Sequence, residues 1–322
     1  MKKGIRYYLS RNLHKKKNHK EYLSLDRVED LISGFKQMLA YMVEDLAHNK
    51  KWNEAVGVMR RNDVENYVRQ EVREELAAVE YDQAKDSSLF EYDEFEPLSK
   101  PMESYMKLPE HVKVEWIGTD DDVPKLAALL EEPLIGVDSE WRPELSQYHK
   151  TRPSLFQISG KKTAFLIDLI SLQRSTVLDG MLVEVFKNPK STIIGFGFNS
   201  DIDQFASKHP HLQFIKYITN FIDAQTYYGK VYLVEQQTGL AKVAQTVFEK
   251  TVCKVEQMSN WERRPLRKSQ AHYAALDAYI LIDIVLKLSE KAKSANRHPF
   301  EKYVKTLDTR NIIVNEVIDN ED

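Results

Sequence analysis

The sequence predicts a mixed-sheet α/β domain preceded by a small all-helical region, and three observations carry that reading. Residues up to about Val79 show only the three- and four-residue apolar spacing of helices. Short strand-like runs then appear at 112–117, 134–138, 154–159, 163–168 and 192–197. Helical patterns at 122–130, 177–186, 200–208, 239–247 and 267–291 alternate with and follow them. Strands close together and then alternation with helices indicate a sheet that begins as an antiparallel meander.

Taken in order, Leu23–Ala47 places Ile32, Phe35, Met38, Leu39, Met42, Val43 and Leu46 on one face of a helix. Trp52–Arg61 and Val64–Val79 continue the pattern, with Asn62 and Asp63 as a break and cap. Residues 1–81 therefore form a helical accessory region, compatible with the end of a longer helical array. Residues 82–110 form an acidic linker in which Phe90, Tyr92 and Phe95 favour lying across a surface. The α/β domain occupies 111–292, and a weakly patterned tail runs from 293 to 322.

A length of 322 residues accommodates one sizeable domain plus an accessory region. The net charge of −3 conceals a basic start, with Lys2, Lys3, Arg6, Arg11, Lys15, Lys16, Lys17 and Lys20 and no acid among them. Such a run reads first as a solvated face and second as a phosphate contact. Cys253 is the only cysteine, which rules out an intrachain disulfide framework, and with no second thiolate a Cys/His zinc site is not expected. The N-terminus carries no long apolar stretch, so neither a signal peptide nor a membrane span is expected. Its abrupt helical character is compatible with a fragment of a longer protein.

The chemistry lies in four acids and a tyrosine. Asp138 and Glu140 in LIGVDSEW stand two apart in a strand-like run, so both leave the same face of the sheet. Tyr273 and Asp277 in HYAALDAY stand four apart in a helical run and share a face. Asp201 follows a strand at a helix start. Asp203 competes with it, but residues two apart on a helix diverge, and Ser200 with Asp203 resembles a capping box, which leaves Asp201 for the site. His272, five before Asp277, competes with Tyr273, and helix spacing favours the tyrosine. Acids that converge repel unless cations neutralise them, and oxygen-only ligands favour Mg²⁺ or Mn²⁺. Trp141 and Arg142 are candidates for base stacking and phosphate contact, as are Arg263 and Arg264 in the basic stretch that runs on to Arg267 and Lys268.

VDSEW, GFGFNSD and YAALDAY, three separated motifs in the right order, resemble those of the DEDD superfamily of 3′–5′ exonucleases, tyrosine branch. RNase D and Werner-type domains belong to that branch, and MSNWERRPLRKSQAHYAALDAY is similar to the Nibbler-like and mutator-type exoribonucleases of small-RNA silencing. The resemblance covers about Val112 to Leu288 and implies an RNase H-like fold for the 111–292 domain. It implies that Asp138, Glu140 and Asp277 hold one divalent cation, that Asp138 bridges to a second supported by Asp201, and that Tyr273 orients the attacking water. The implied reaction is hydrolysis of 3′-terminal phosphodiesters of single-stranded RNA to nucleoside 5′-monophosphates. An Argonaute-type or silencing-complex protein is the implied partner, no membrane is expected, and the implied compartment is the cytoplasm, extending to nuclear or perinuclear sites. A Werner-like DNA exonuclease and a catalytically idle scaffold are the alternatives.

Overall fold

A computed structural model of the protein describes residues 25–83, 102–145 and 151–305. The basic run 1–20, the linker aromatics and the acidic end of the tail lie outside these residues. The chain divides into two compact units.

Among the described residues the first unit contains four α-helices, α1 (Leu25–Leu31), α2 (Lys36–His48), α3 (Trp52–Arg61) and α4 (Gln70–Ala77). The apolar pattern over 23–47 predicts one helix, whereas the chain folds it as α1 and α2. Gly34 between them adopts φ +82°, a conformation open to glycine and costly for other residues, and this turns the chain. Val28, Ile32, Leu39, Met42, Val43, Leu46, Val56 and Leu76 form the core at the predicted spacing.

Two stretches within 111–292, one beginning at Arg142 and the other spanning 254–267, group with this first unit. Sequence pattern misses the grouping because the bonds that make it join residues far apart. Arg142 donates from Nε to the carbonyl of Leu31 at 3.0 Å and from a terminal nitrogen to that of Ser33 at 2.8 Å. Buried ion pairs join Arg27 to Glu256 at 2.8 Å and Arg267 to Asp30 at 2.9 Å. Asn260 donates to the Asp30 carbonyl at 3.0 Å.

The second unit is built on a six-stranded sheet in the order β1-β4-β3-β2-β5-β6. Its strands are β1 (Lys113–Ile117), β2 (Leu134–Glu140), β3 (Leu155–Ser159), β4 (Thr163–Asp168), β5 (Thr192–Gly195) and β6 (Phe221–Asp223). β2, β3 and β4 form the antiparallel meander, while β1, β5 and β6 pair in parallel. Helices α5 (Thr176–Lys187), α6 (Asn199–Lys208), α8 (Leu240–Phe248) and α9 (Lys268–Ser294) fall where the pattern predicts them. β6 and α7 (Ala224–Tyr232) are additions that the sequence reading lacks. The helical pattern at 122–130 folds as a 3₁₀ helix, Val123–Glu131, with proline in its first turn.

Alternation gives the sheet two different faces. Val137, Phe156 and Ile158 enter an apolar core with Phe186, Phe205 and Phe214. The Phe156 ring lies 5.0 Å from Phe205, edge-on, and 5.4 Å from Phe214, stacked. α9 covers the other face, packing on β2, β3 and β4. It crosses β2 at Gly136, where a Cβ would stand 1.9 Å from the backbone oxygen of Ala278. Only a glycine permits that approach.

Candidate active site

β2 delivers the first two acids. Asp138 and Glu140 are half-buried residues at its C-terminal end, on the face that α9 covers. α9 delivers Asp277, which is 4 % exposed, and Tyr273, one turn earlier and 6 % exposed. Ligand atoms of Asp138, Glu140 and Asp277 all lie within 4.8 Å of one another. The crossing of α9 over Gly136 brings strand and helix close enough for this.

Asp201 stands in the first turn of α6, 7 % exposed, whereas Asp203 is exposed. It lies outside the group of three. Its Oδ1 accepts a hydrogen bond from Ser139 Oγ at 2.5 Å and its Oδ2 one from Ser200 Oγ at 3.3 Å. The turn before α6 is fixed by Asp223, whose carboxylate accepts from Gly197 N at 2.7 Å while Gly197 adopts φ +63°. The predicted Ser200–Asp203 capping box does not form. The helix begins at Asn199 with Phe198 at the cap and no side-chain cap bond, so Ser200 already sits inside the first turn and donates to the Gly197 carbonyl at 3.1 Å. Asp201 is thus distinguished from Asp203 by burial and by Ser139, not by capping. Sequence reasoning passed over Ser139; its only signal was a hydroxyl between two acids.

Electrostatics marks the cluster. Burial raises the Asp138 carboxyl well above the usual range, and the charges of Asp201 and Asp277 push it the same way, against a hydrogen bond from the Ser139 backbone. Burial also lifts Asp201 to about 6, opposed by Ser139 and Ser200. The Tyr273 hydroxyl is raised by burial first and then by Asp277, Glu140 and Asp138, and it donates to Asp277. It therefore stays protonated and serves as a donor. An oxygen-only set of crowded acids that burial and mutual repulsion drive toward neutrality fits hard divalent cations, whose charge would restore the ionised forms.

His272 is turned to another task. Its Nε2 accepts the Leu108 N–H at 3.1 Å, and burial, with the positive charge of Lys107, lowers it to about 4. The imidazole is neutral and secures the end of the linker, which also pairs with Thr251 through Ser104 and Met106.

The basic candidates all have partners within the protein. Arg142 is 6 % exposed, bound to helix carbonyls, with its guanidinium 5.1 Å from the Phe35 ring centre. Arg263 pairs with Asp30 at 3.5 Å, and Arg264 donates to the carbonyls of Trp261 and Arg263 at 2.8 and 2.7 Å. Arg267 is 6 % exposed and neutralised by Asp30. These partners all belong to the first unit, and spacing alone cannot reveal that Asp30, more than 200 positions earlier, pairs with Arg263 and Arg267. Trp261 is fully buried, as expected for a core residue, and Trp141 is half-buried after β2.

Residues 114–293 match the family model described as 3′-5′ exonuclease, more than half of the chain. The chain belongs to the 3′–5′ exonuclease family. The family is metal-dependent, and its members are hydrolases acting on nucleic acids. The chain is 28 % identical over 192 residues to the human "Exonuclease mut-7 homolog", covering 54 % of this chain and 22 % of that protein. It is 26 % identical over 175 residues to a Ribonuclease D of Shewanella, covering 53 % of this chain and 41 % of that one. The crystal structure of the Aedes aegypti Nibbler EXO domain superposes with a TM-score of 0.54 at 25 % identity, covering 62 % of this chain and 97 % of that one. The chain spans about a fifth of the length of the human and Caenorhabditis elegans relatives. Among the described residues no helix is long and apolar enough to cross a membrane.

Proposed function

We propose that this protein is a 3′–5′ exoribonuclease that uses two divalent cations, Mg²⁺ or Mn²⁺, and removes nucleoside 5′-monophosphates from the 3′ ends of single-stranded RNA in an RNA-silencing pathway. The observation that carries the reading is the convergence of Asp138, Glu140 and Asp277 within 4.8 Å beside a protonated Tyr273. Such ions supply Lewis-acid stabilisation of the attacking and leaving oxygens.

The chain's own residues do the rest. Asp138, Glu140 and Asp277 would hold one cation, and Asp138 with Asp201 would hold the other. Tyr273 would orient the water that attacks the terminal phosphodiester, its hydroxyl kept protonated first by burial and then by the surrounding acids. Trp141, half-buried just after Glu140, is the candidate for stacking on a terminal base. The RNA preference rests on the name of the Ribonuclease D relative, and the silencing role on the resemblance of MSNWERRPLRKSQAHYAALDAY to the Nibbler-like and mutator-type exoribonucleases. An Argonaute-type or silencing-complex protein is the proposed partner, and the cytoplasm, with nuclear or perinuclear sites, the proposed compartment.

The test is a 5′-labelled single-stranded RNA incubated with Mn²⁺ and, in parallel, a DNA strand of the same sequence. A ladder shortening from the 3′ end, faster on RNA and abolished by Asp138→Asn, is expected. No shortening under any divalent ion refutes the nuclease reading, and faster digestion of DNA replaces RNA as the substrate.

A further inference from the structure

Gln157 lies in the middle of β3, 1 % exposed, and neither its amide nitrogen nor its amide oxygen has a hydrogen-bond partner among the described residues. Burying an amide with both groups unsatisfied costs free energy, and native interiors rarely tolerate it without a reason. Its position supplies one. In the β2–β3 ladder Gln157 stands directly opposite Asp138, so the two side chains leave the same face of the sheet. Directly opposed Cβ atoms lie about 4.5–5.5 Å apart, within the reach of a glutamine side chain.

The other neighbours within the sheet offer little. Across the ladder on the β4 side, Gln157 faces Leu166, which has no polar side-chain group. Two positions along β3, the Ser159 hydroxyl is spent on the Gly160 carbonyl at 2.9 Å. Diagonally across, Asp168 already accepts from Ile170 N at 3.0 Å and Ser171 Oγ at 2.7 Å. Gly136, on the β2 diagonal, has no side chain and is covered by α9. The remaining cross-strand acceptors are the carboxylates of Asp138, directly opposite, and Glu140, on the other diagonal.

We propose that Gln157 is a positioning residue for the acid cluster, its amide N–H donating to the Asp138 carboxylate when that cluster holds divalent cations. This rests on the reading of the acids as a cation site. A carboxylate shared between two cations has to present each oxygen in a fixed direction, and a donor from the neighbouring strand fixes that rotation without adding charge. Glutamine suits the place because a lysine or arginine there would compete with the cations for the same oxygens.

The experiment uses the full chain and Gln157→Met, which preserves length and volume while removing both polar atoms. Mn²⁺ binding is measured by calorimetry without RNA, thermal unfolding is followed without metal, and kcat and KM are taken on single-stranded RNA. The expected result is Mn²⁺ affinity weaker by about tenfold or more, metal-free unfolding at or above the wild-type temperature, and a lower kcat with little change in KM. Unchanged Mn²⁺ affinity overturns the proposal, as does a Gln157→Met protein that fails to fold, which would show that the amide is needed without metal. Mn²⁺ binding by a wild type that leaves RNA intact defeats the nuclease reading, and the affinity comparison still decides the role of Gln157. A wild type that binds no Mn²⁺ defeats both.

Discussion

Ser139 donates its hydroxyl to Asp201 Oδ1 across 2.5 Å, joining the residue between the two strand acids to an acid 62 positions away. Asp201 is the acid outside the close group of three, so this bond settles where its carboxylate points. Ser139→Ala is expected to lower kcat roughly tenfold or more, with KM nearly unchanged, as follows from losing a hydrogen bond to a charged group. Ser139→Thr should retain most of the activity. Steady-state kinetics on labelled RNA gives the answer, and full activity in Ser139→Ala would mean that Asp201 is held by other groups.

Tyr273 and His272 are adjacent on α9 but serve different ends, one donating to Asp277 and the other accepting from Leu108 N. Tyr273→Phe should cost about a hundredfold in kcat and leave Mn²⁺ binding in place. His272→Ala should lose about 1 kcal/mol of stability with kcat within a few-fold. The reverse pattern would make His272, and not Tyr273, the residue that serves the acids.

Gly136→Ala places a methyl group against the Ala278 carbonyl, at an ideal distance of 1.9 Å. Backbone on both sides leaves nothing flexible to yield, so a loss of about 2–3 kcal/mol or more is expected in urea unfolding. Activity should fall as well, because α9 carries Asp277.

His209 gives a pH signature away from the acids. Its Nε2–H donates to the Pro153 carbonyl at 2.8 Å, and burial lowers its pKa from 6.5 to about 4. The folded state therefore excludes a proton that the unfolded chain accepts. The contribution is fully present above pH 6.5, shrinks as pH falls and is gone below about 4, for a total of about 3 kcal/mol. Comparing denaturant unfolding of the wild type and His209→Gln from pH 7 to 4 isolates it. Equal slopes in the two proteins would refute it.

Asp30 neutralises Arg267 at 2.9 Å in a setting where the arginine is almost wholly enclosed. Asp30→Ala leaves a buried positive charge without its closest partner, and a loss of about 3 kcal/mol is expected. Limited proteolysis should then cut within 254–267 sooner than in the wild type. Unaltered protection would show that Asp26, 3.8 Å from Arg267, suffices.

The residues whose partners are near in sequence, or on elements with a strong period, were readable before any coordinates. Asp138 and Glu140 declare a shared face through strand period, and Tyr273 and Asp277 through helix period. What escaped depended on long-range pairing or weak pattern. β6 is three residues long and runs straight into α7, too short for a strand signal. Arg142 beside Trp141, and Arg267 in its basic stretch, read as phosphate ligands until the acids and carbonyls of α1 and the turn after it come alongside. Ser200 looked like a cap because a helix start cannot be read to one residue, and a shift of one position removes the box.

The contact between Gly136 and Ala278 is made by main chain on both sides. The gauge between the strand that carries Asp138 and Glu140 and the helix that carries Asp277 is therefore set by peptide groups, whose dimensions do not vary with sequence. Apolar side chains elsewhere in the domain can drift in size and shape without changing that gauge. A single unsubstituted carbon thus uncouples the freedom of the core to evolve from the fixed separation that the chemistry demands.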